Sequence, residues 1–124
     1  MVLYFAADLI WASKIKATAD ALSVPCRPVR SIEMLDARLA DSSVRALIVD
    51  LESPQTALQL IQHLREPGAS EAHRGIRVVA FGPHVAKDQL QAARDAGADS
   101  VMTRGSFDAN LDDVLLKLGS GGRV

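Results

Sequence analysis

The sequence predicts a single α/β domain in which a parallel sheet is covered by helices on both faces. Three observations predict it: five short apolar runs, helical periodicity in the intervals between them, and turn residues at the joins. The 124 residues suffice for one core of this kind and leave nothing over for a second domain.

The first run, Val2-Leu3-Tyr4-Phe5-Ala6, is the continuous apolar sequence expected of a strand buried on both faces. Asp8 stands where an N-cap would start a helix over about 9–22. In that helix Trp11, Ile15, Thr18 and Leu22 recur at helical spacing while Lys14, Lys16 and Asp20 fall mostly off the stripe, so Trp11 reads as a packing residue. Residues 24–30 form a second β-type segment whose Pro25 and Pro28 cannot donate ladder hydrogen bonds, which confines it to a sheet edge. Ser31 then caps a second helix with Met34, Leu35 and Leu39 inward and Asp36 and Arg38 outward.

Asp41-Ser42-Ser43 leads into the organising stretch of the chain, residues 44–54, a buried apolar strand that ends on Asp50 and is followed four residues later by Pro54. A third helix carries Leu58, Ile61 and Leu64 on one face until Pro67-Gly68 stops it, and residues 69–75 read as a polar loop. The fourth strand covers 76–81 and is broken at once by Gly82-Pro83. A fourth helix from about Ala86 shows Leu90, Ala93 and Ala96 at helical spacing and has Gly97 as its C′ residue. A short fifth strand spans 99–102. Ser106 or Asp108 can cap a last helix with Leu111, Val114, Leu115 and Leu118 inward, and the glycine-rich residues 119–124 read as a flexible tail beyond a domain of residues 1–118.

Strands alternating with helices imply right-handed crossovers in a parallel sheet, and an edge position for the second strand implies the order 2-1-3-4-5. Ligands of such sheets meet the carboxyl ends of the strands, where Asp50 lies. That carboxylate either serves chemistry or caps the helix that follows it.

The net charge is −1, with 14 basic residues scattered among 15 acids, so there is no basic footprint for nucleic acid. Cys26 is the single cysteine and has no partner for an intrachain disulfide. No secretory signal or membrane segment is legible, and the expected location is the cytoplasm.

At Asp50-Leu51-Glu52-Ser53-Pro54 and Gly97-Ala98-Asp99-Ser100-Val101-Met102-Thr103-Arg104-Gly105 the chain resembles the receiver domains of two-component response regulators. The resemblance covers about 2–118 and implies a flavodoxin-like (βα)5 fold. It also implies that Asp50 is the phosphoacceptor, and that acids after the first strand, a hydroxyl after the fourth, and an aromatic and a lysine at the fifth complete the machinery around Mg²⁺.

Set against that pattern, the chain departs at most positions. Ala6 and Ala7 stand where the acidic pair belongs, with Asp8 one residue late; a first turn shorter by one residue would make Asp8 a member of the pair. Gly82 replaces the hydroxyl, Val101 the aromatic, Arg104 the lysine and Gly105 the following proline. Asp8 and Asp50 alone make a weak Mg²⁺ site. Arg104 can clamp an anion or pair permanently with Asp50.

The resemblance with these departures implies a pseudo-receiver: a non-enzymatic, phosphorylation-independent module that binds another signalling protein. Self-association through the fourth helix, fifth strand and fifth helix is a further expectation, with Gln89, Arg94, Asp95, Asp112 and Asp113 offering polar contacts. The alternative is a functional receiver phosphorylated at Asp50 with a weakened Mg²⁺ site. An enzyme or cofactor carrier on the same fold finds little support. There is no Walker-type glycine motif and no hydroxyl-rich phosphate cradle after the first strand, and His63, His73 and His84 are not spaced as metal ligands. Cys26 lacks the companions of a nucleophile.

Overall fold

The structure, a computed structural model, describes residues 1–124. Five strands, β1 (Val2–Phe5), β2 (Cys26–Pro28), β3 (Ala46–Asp50), β4 (Arg77–Gly82) and β5 (Ser100–Thr103), form one parallel sheet in the order β2-β1-β3-β4-β5. Around it lie α1 (Leu9–Ala21), α2 (Ile32–Asp41), α3 (Pro54–Arg65), α4 (Glu71–Arg74), α5 (Lys87–Ala96), α6 (Arg104–Ala109) and α7 (Leu111–Gly119). No helix is long and apolar enough to cross a membrane.

Strand alternation sorts the core into two layers. Leu3, Leu47, Val49, Val78 and Ala80 pack with Leu35, Leu60, Ile61, Leu64 and Leu90 from α2, α3 and α5. On the other face Val2, Tyr4, Ile48, Val79 and Phe81 pack with Ile15, Ala19, Phe107, Val114, Leu115 and Leu118 from α1, α6 and α7. The prolines of the edge strand contribute acceptors only: the Pro25 carbonyl accepts from the Val2 N–H at 2.9 Å, and Pro28 stands in register with Tyr4.

The predicted caps form. An Asp8 carboxylate oxygen accepts from the Ile10 N–H at 2.7 Å, and the Ser31 hydroxyl accepts from the Met34 N–H at 3.1 Å. Gly97 ends α5 with φ +112°, a conformation that side chains with a Cβ rarely adopt.

Two expectations need correction. Residues 69–75 are not simply a loop, because Ser70 caps the short helix α4 and the Arg65 guanidinium holds the Arg74 carbonyl at 3.1 Å. The last helix is also not capped by Ser106 or Asp108. That helix, α7, starts after Asn110 with no side-chain cap, and an additional short helix precedes it: Thr103 caps α6, its hydroxyl accepting from the Ser106 N–H at 3.2 Å, so β5 runs directly into α6. The helix then breaks at Asn110, whose side-chain amide donates to the Ser106 carbonyl at 2.8 Å, and α7 follows as a separate helix. Past α7, the Gly122 N–H donates back to the Lys117 carbonyl at 2.7 Å.

Candidate acidic site at the carboxyl end of the sheet

β3 ends on Asp50, which stands in register with Phe81 of β4, and the Leu51 N–H donates to the Phe81 carbonyl at 2.9 Å. These ladder contacts fix the end of β3, and Asp50 is only 1% exposed. One oxygen, Oδ1, accepts from the Glu52 N–H at 3.0 Å. Oδ2 is buried and has no hydrogen-bond partner.

Arg104, the first residue of α6, faces this acid. Its Nη2 lies 3.8 Å from Asp50 Oδ1 and 3.8 Å from Glu52 Oε2, which is ion-pair distance without a hydrogen bond. Nε and Nη2 of Arg104 are themselves buried without a hydrogen-bond partner. Burial pushes the Asp50 carboxyl above the ordinary aspartate range, and the Glu52 N–H and the Arg104 charge pull it only part of the way back. The negative charges of Glu52 and Asp8 add to the rise, so Asp8 is near enough to be felt at Asp50.

The other expected positions distribute as follows. Ala6 and Ala7 follow β1, and Ala7, Asp8, Glu52 and Ser53 line an open depression of about 320 Å³ beside Asp50. Gly82 closes β4 in register with Thr103; a Cβ there would lie 3.2 Å from Leu51 Cβ and 3.8 Å from Leu90 Cδ2. Val101 is partly buried and packs into the α2, α3 and α5 layer. Gly105 has open space where a side chain would stand, and all peptide bonds are trans. His63 pairs instead with Asp36 at 2.7 Å, joining α3 to α2.

Sequence reasoning missed two contributors. Glu52 is the second carboxylate facing Arg104, and its position two residues past Asp50 was the available signal. Phe107 stacks on Phe81 with ring centroids 4.0 Å apart and planes at 5°, which ties α6 to the strand beside Asp50. Trp11 closes the group from α1, 5.0 Å from Phe81 and 5.7 Å from Phe107.

No family model matches the sequence, and no curated protein matches it. Solved structures do match. A response regulator from Thermotoga maritima is 17% identical, with a TM-score of 0.68 over 96% of this chain and 96% of that one. The isolated REC domain of RcsB from Salmonella enterica serovar Typhimurium is 16% identical, with a TM-score of 0.67 over 99% of this chain and 90% of that one. The receiver domain of Ssk1 from Saccharomyces cerevisiae, crystallised with the histidine phosphotransfer signaling protein Ypd1, is 12% identical, with a TM-score of 0.74 over 96% of this chain and 88% of that one. At these identities the likeness is one of fold: the chain has the five-stranded, doubly wound architecture of response-regulator receiver domains.

Proposed function

We propose that this chain is a receiver-like signalling domain that acts by binding another protein and runs no aspartyl-phosphate cycle. The observation that carries this reading is the Arg104 guanidinium at 3.8 Å from both Asp50 and Glu52, a covalently attached cation already facing the acids.

The residues around it do not fit a Mg²⁺ cage. A hard divalent cation takes several oxygen ligands in near-octahedral geometry. Ala6 and Ala7 have no side-chain oxygen to give, one Asp8 oxygen is engaged at the first turn of α1, and Arg104 competes for the remaining two carboxylates. At Gly82 no hydroxyl is available to bond a phosphoryl oxygen.

A second signalling protein is the partner that suits the fold, in line with the Ssk1 receiver domain crystallised with Ypd1. Beside the acidic site Leu9 and Ile10 open α1 at 76% and 77% exposure, an apolar start available to such a partner. The further expectation, self-association through α5, β5 and the α6–α7 segment, would use exposed charges such as Arg94, Asp95, Asp112 and Asp113.

The test is incubation with a small phosphodonor and Mg²⁺ beside an ordinary receiver as positive control, followed by an amide-resolved titration with beryllofluoride. We expect no label and no shifts near Asp8, Asp50, Gly82 and Arg104. Stoichiometric labelling that disappears in Asp50→Asn would replace this reading by the second one, a functional receiver. That second reading draws on one observation, the bare Oδ2 of Asp50, an oxygen free to attack, with Arg104 neutralising the charge formed.

A further inference from the structure

At the β2 edge of the sheet, main-chain groups alternate between β1 and the outside. The Val2 N–H donates to the Pro25 carbonyl at 2.9 Å and the Val29 N–H to the Tyr4 carbonyl at 2.9 Å, so residues 25, 27 and 29 face β1. Alternation along the strand turns the main-chain groups of Cys26 and Pro28 outward. Such an edge is a ready template for another strand. Here both outward carbonyls are occupied. Lys16 of α1 donates its Nζ to the Cys26 carbonyl at 3.1 Å, and pairing with Asp20 at 2.9 Å holds it at the edge. Arg38 of α2 turns Nε and Nη2, both at 3.4 Å, to the Pro28 carbonyl. Pro28 has no N–H, which leaves the Cys26 N–H as the one outward donor of the strand. Because α1 and α2 pack on opposite faces of the sheet, the edge is closed from both sides.

We infer that Lys16 and Arg38 seal the β2 edge against an added strand from a second copy of this chain. Ammonium and guanidinium groups are donors only, so they satisfy the carbonyls that a neighbouring strand would need. A strand arriving there meets two carbonyls already bonded, a proline where a donor belongs, and two charges that pairing would strip of water. None of these groups belongs to the acidic site around Asp50, so the seal holds whatever the condition of that carboxylate.

The test compares the full chain with a double variant, Lys16→Met with Arg38→Met, which keeps most of each aliphatic stem and removes both donors. A triple variant adds Pro28→Val and so restores an outward N–H. Sedimentation velocity over a wide range of concentration reads association, and amide hydrogen exchange reads where it occurs. The double variant should associate as concentration rises, its Cys26 amide exchanging at least about tenfold more slowly at the top of the range than at the bottom. The triple variant should associate more strongly still. In the wild type, exchange at Cys26 should not vary with concentration. Arg27→Met with Arg30→Met removes the same charge from exposed positions at this edge without freeing an outward carbonyl, and should behave as the wild type. Lys16→Met alone should give a weaker change of the same sign, and carries the test if the double variant does not fold. A Cys26 amide whose exchange is independent of concentration in the folded variants would overturn the inference. So would equal association in the Arg27→Met with Arg30→Met control, since that reports lost charge and not freed carbonyls.

Discussion

Asp50 and Arg104 face each other at 3.8 Å, yet no hydrogen bond joins them and each keeps a buried polar atom without a partner. Removing a carboxylate from water costs more than an imperfect pair returns, and the raised pKa of Asp50, caused first by burial, has that sign. Folding therefore makes the charged form of Asp50 costlier than it is in the unfolded chain.

Asp50→Asn should accordingly raise the unfolding midpoint at pH 7. Because the folded pKa lies above the unfolded one, Asp50's contribution to stability is fully present below the unfolded value and is lost as pH rises through the folded value. The gap between the variant and wild type should thus shrink on acidification. Urea unfolding of both proteins over a pH series checks this, and a wild type more stable than the variant at pH 7 would refute it.

Arg65 ties together the end of the sheet opposite Asp50. Its guanidinium donates to the Gly97, Arg74 and Ile76 carbonyls at 3.1, 3.1 and 2.8 Å and to Asp99 at 2.9 Å, and Asp99 in turn accepts from the Val78 N–H at 2.8 Å. Arg65→Ala should cost about 2–3 kcal/mol in urea unfolding, as several charge-assisted bonds are lost at once. Arg65→Lys should recover less than half of that, since an ammonium cannot reproduce the fork.

Leu47 is fully buried in the centre of β3, within the layer facing α2, α3 and α5. Leu47→Ala should cost ~2–5 kcal/mol through lost transfer energy and the cavity left behind. Equilibrium unfolding measures it, and an unchanged midpoint would contradict the central position of β3.

Cys26 is buried at the sheet edge, and burial pushes its thiol up to about 12. The native chain should resist iodoacetamide at pH 8 and react fully once unfolded in urea, because the thiolate is the nucleophile. With the folded pKa above the ordinary thiol value of 9.0, the thiol's contribution to stability is lost as pH rises from about 9 to about 12. Rapid native-state alkylation would show that the β2 edge opens readily.

Much of the architecture was legible because its causes are local. Pro25 and Pro28 could only belong to an edge strand, Asp8 and Ser31 stood where helix starts need acceptors, and Leu111, Val114, Leu115 and Leu118 marked an inward face. The helix α4 was not legible, because a guanidinium from α3 closes its end. The start of α6 was missed because its cap, Thr103, is also the last residue of β5, so no loop separates strand from helix. For the candidate site, the departures at Ala6, Ala7, Gly82 and Val101 could be read directly as missing functional groups. The part taken by Glu52 could not, since it depends on where the Arg104 side chain reaches.

By itself the sequence determined the parallel sheet, the strand order and the place of Asp50 at a strand's carboxyl end. Apolar periodicity, proline chemistry and cap residues act over a few neighbouring positions and can be read along one dimension. Only the tertiary structure decided that Asp50 is almost wholly buried, that Arg104 stands before it and Glu52 together, and that Phe107 locks onto Phe81. Desolvation, ion pairing and ring stacking depend on the distance between groups far apart in the chain, and that distance exists only once the strands and helices have packed.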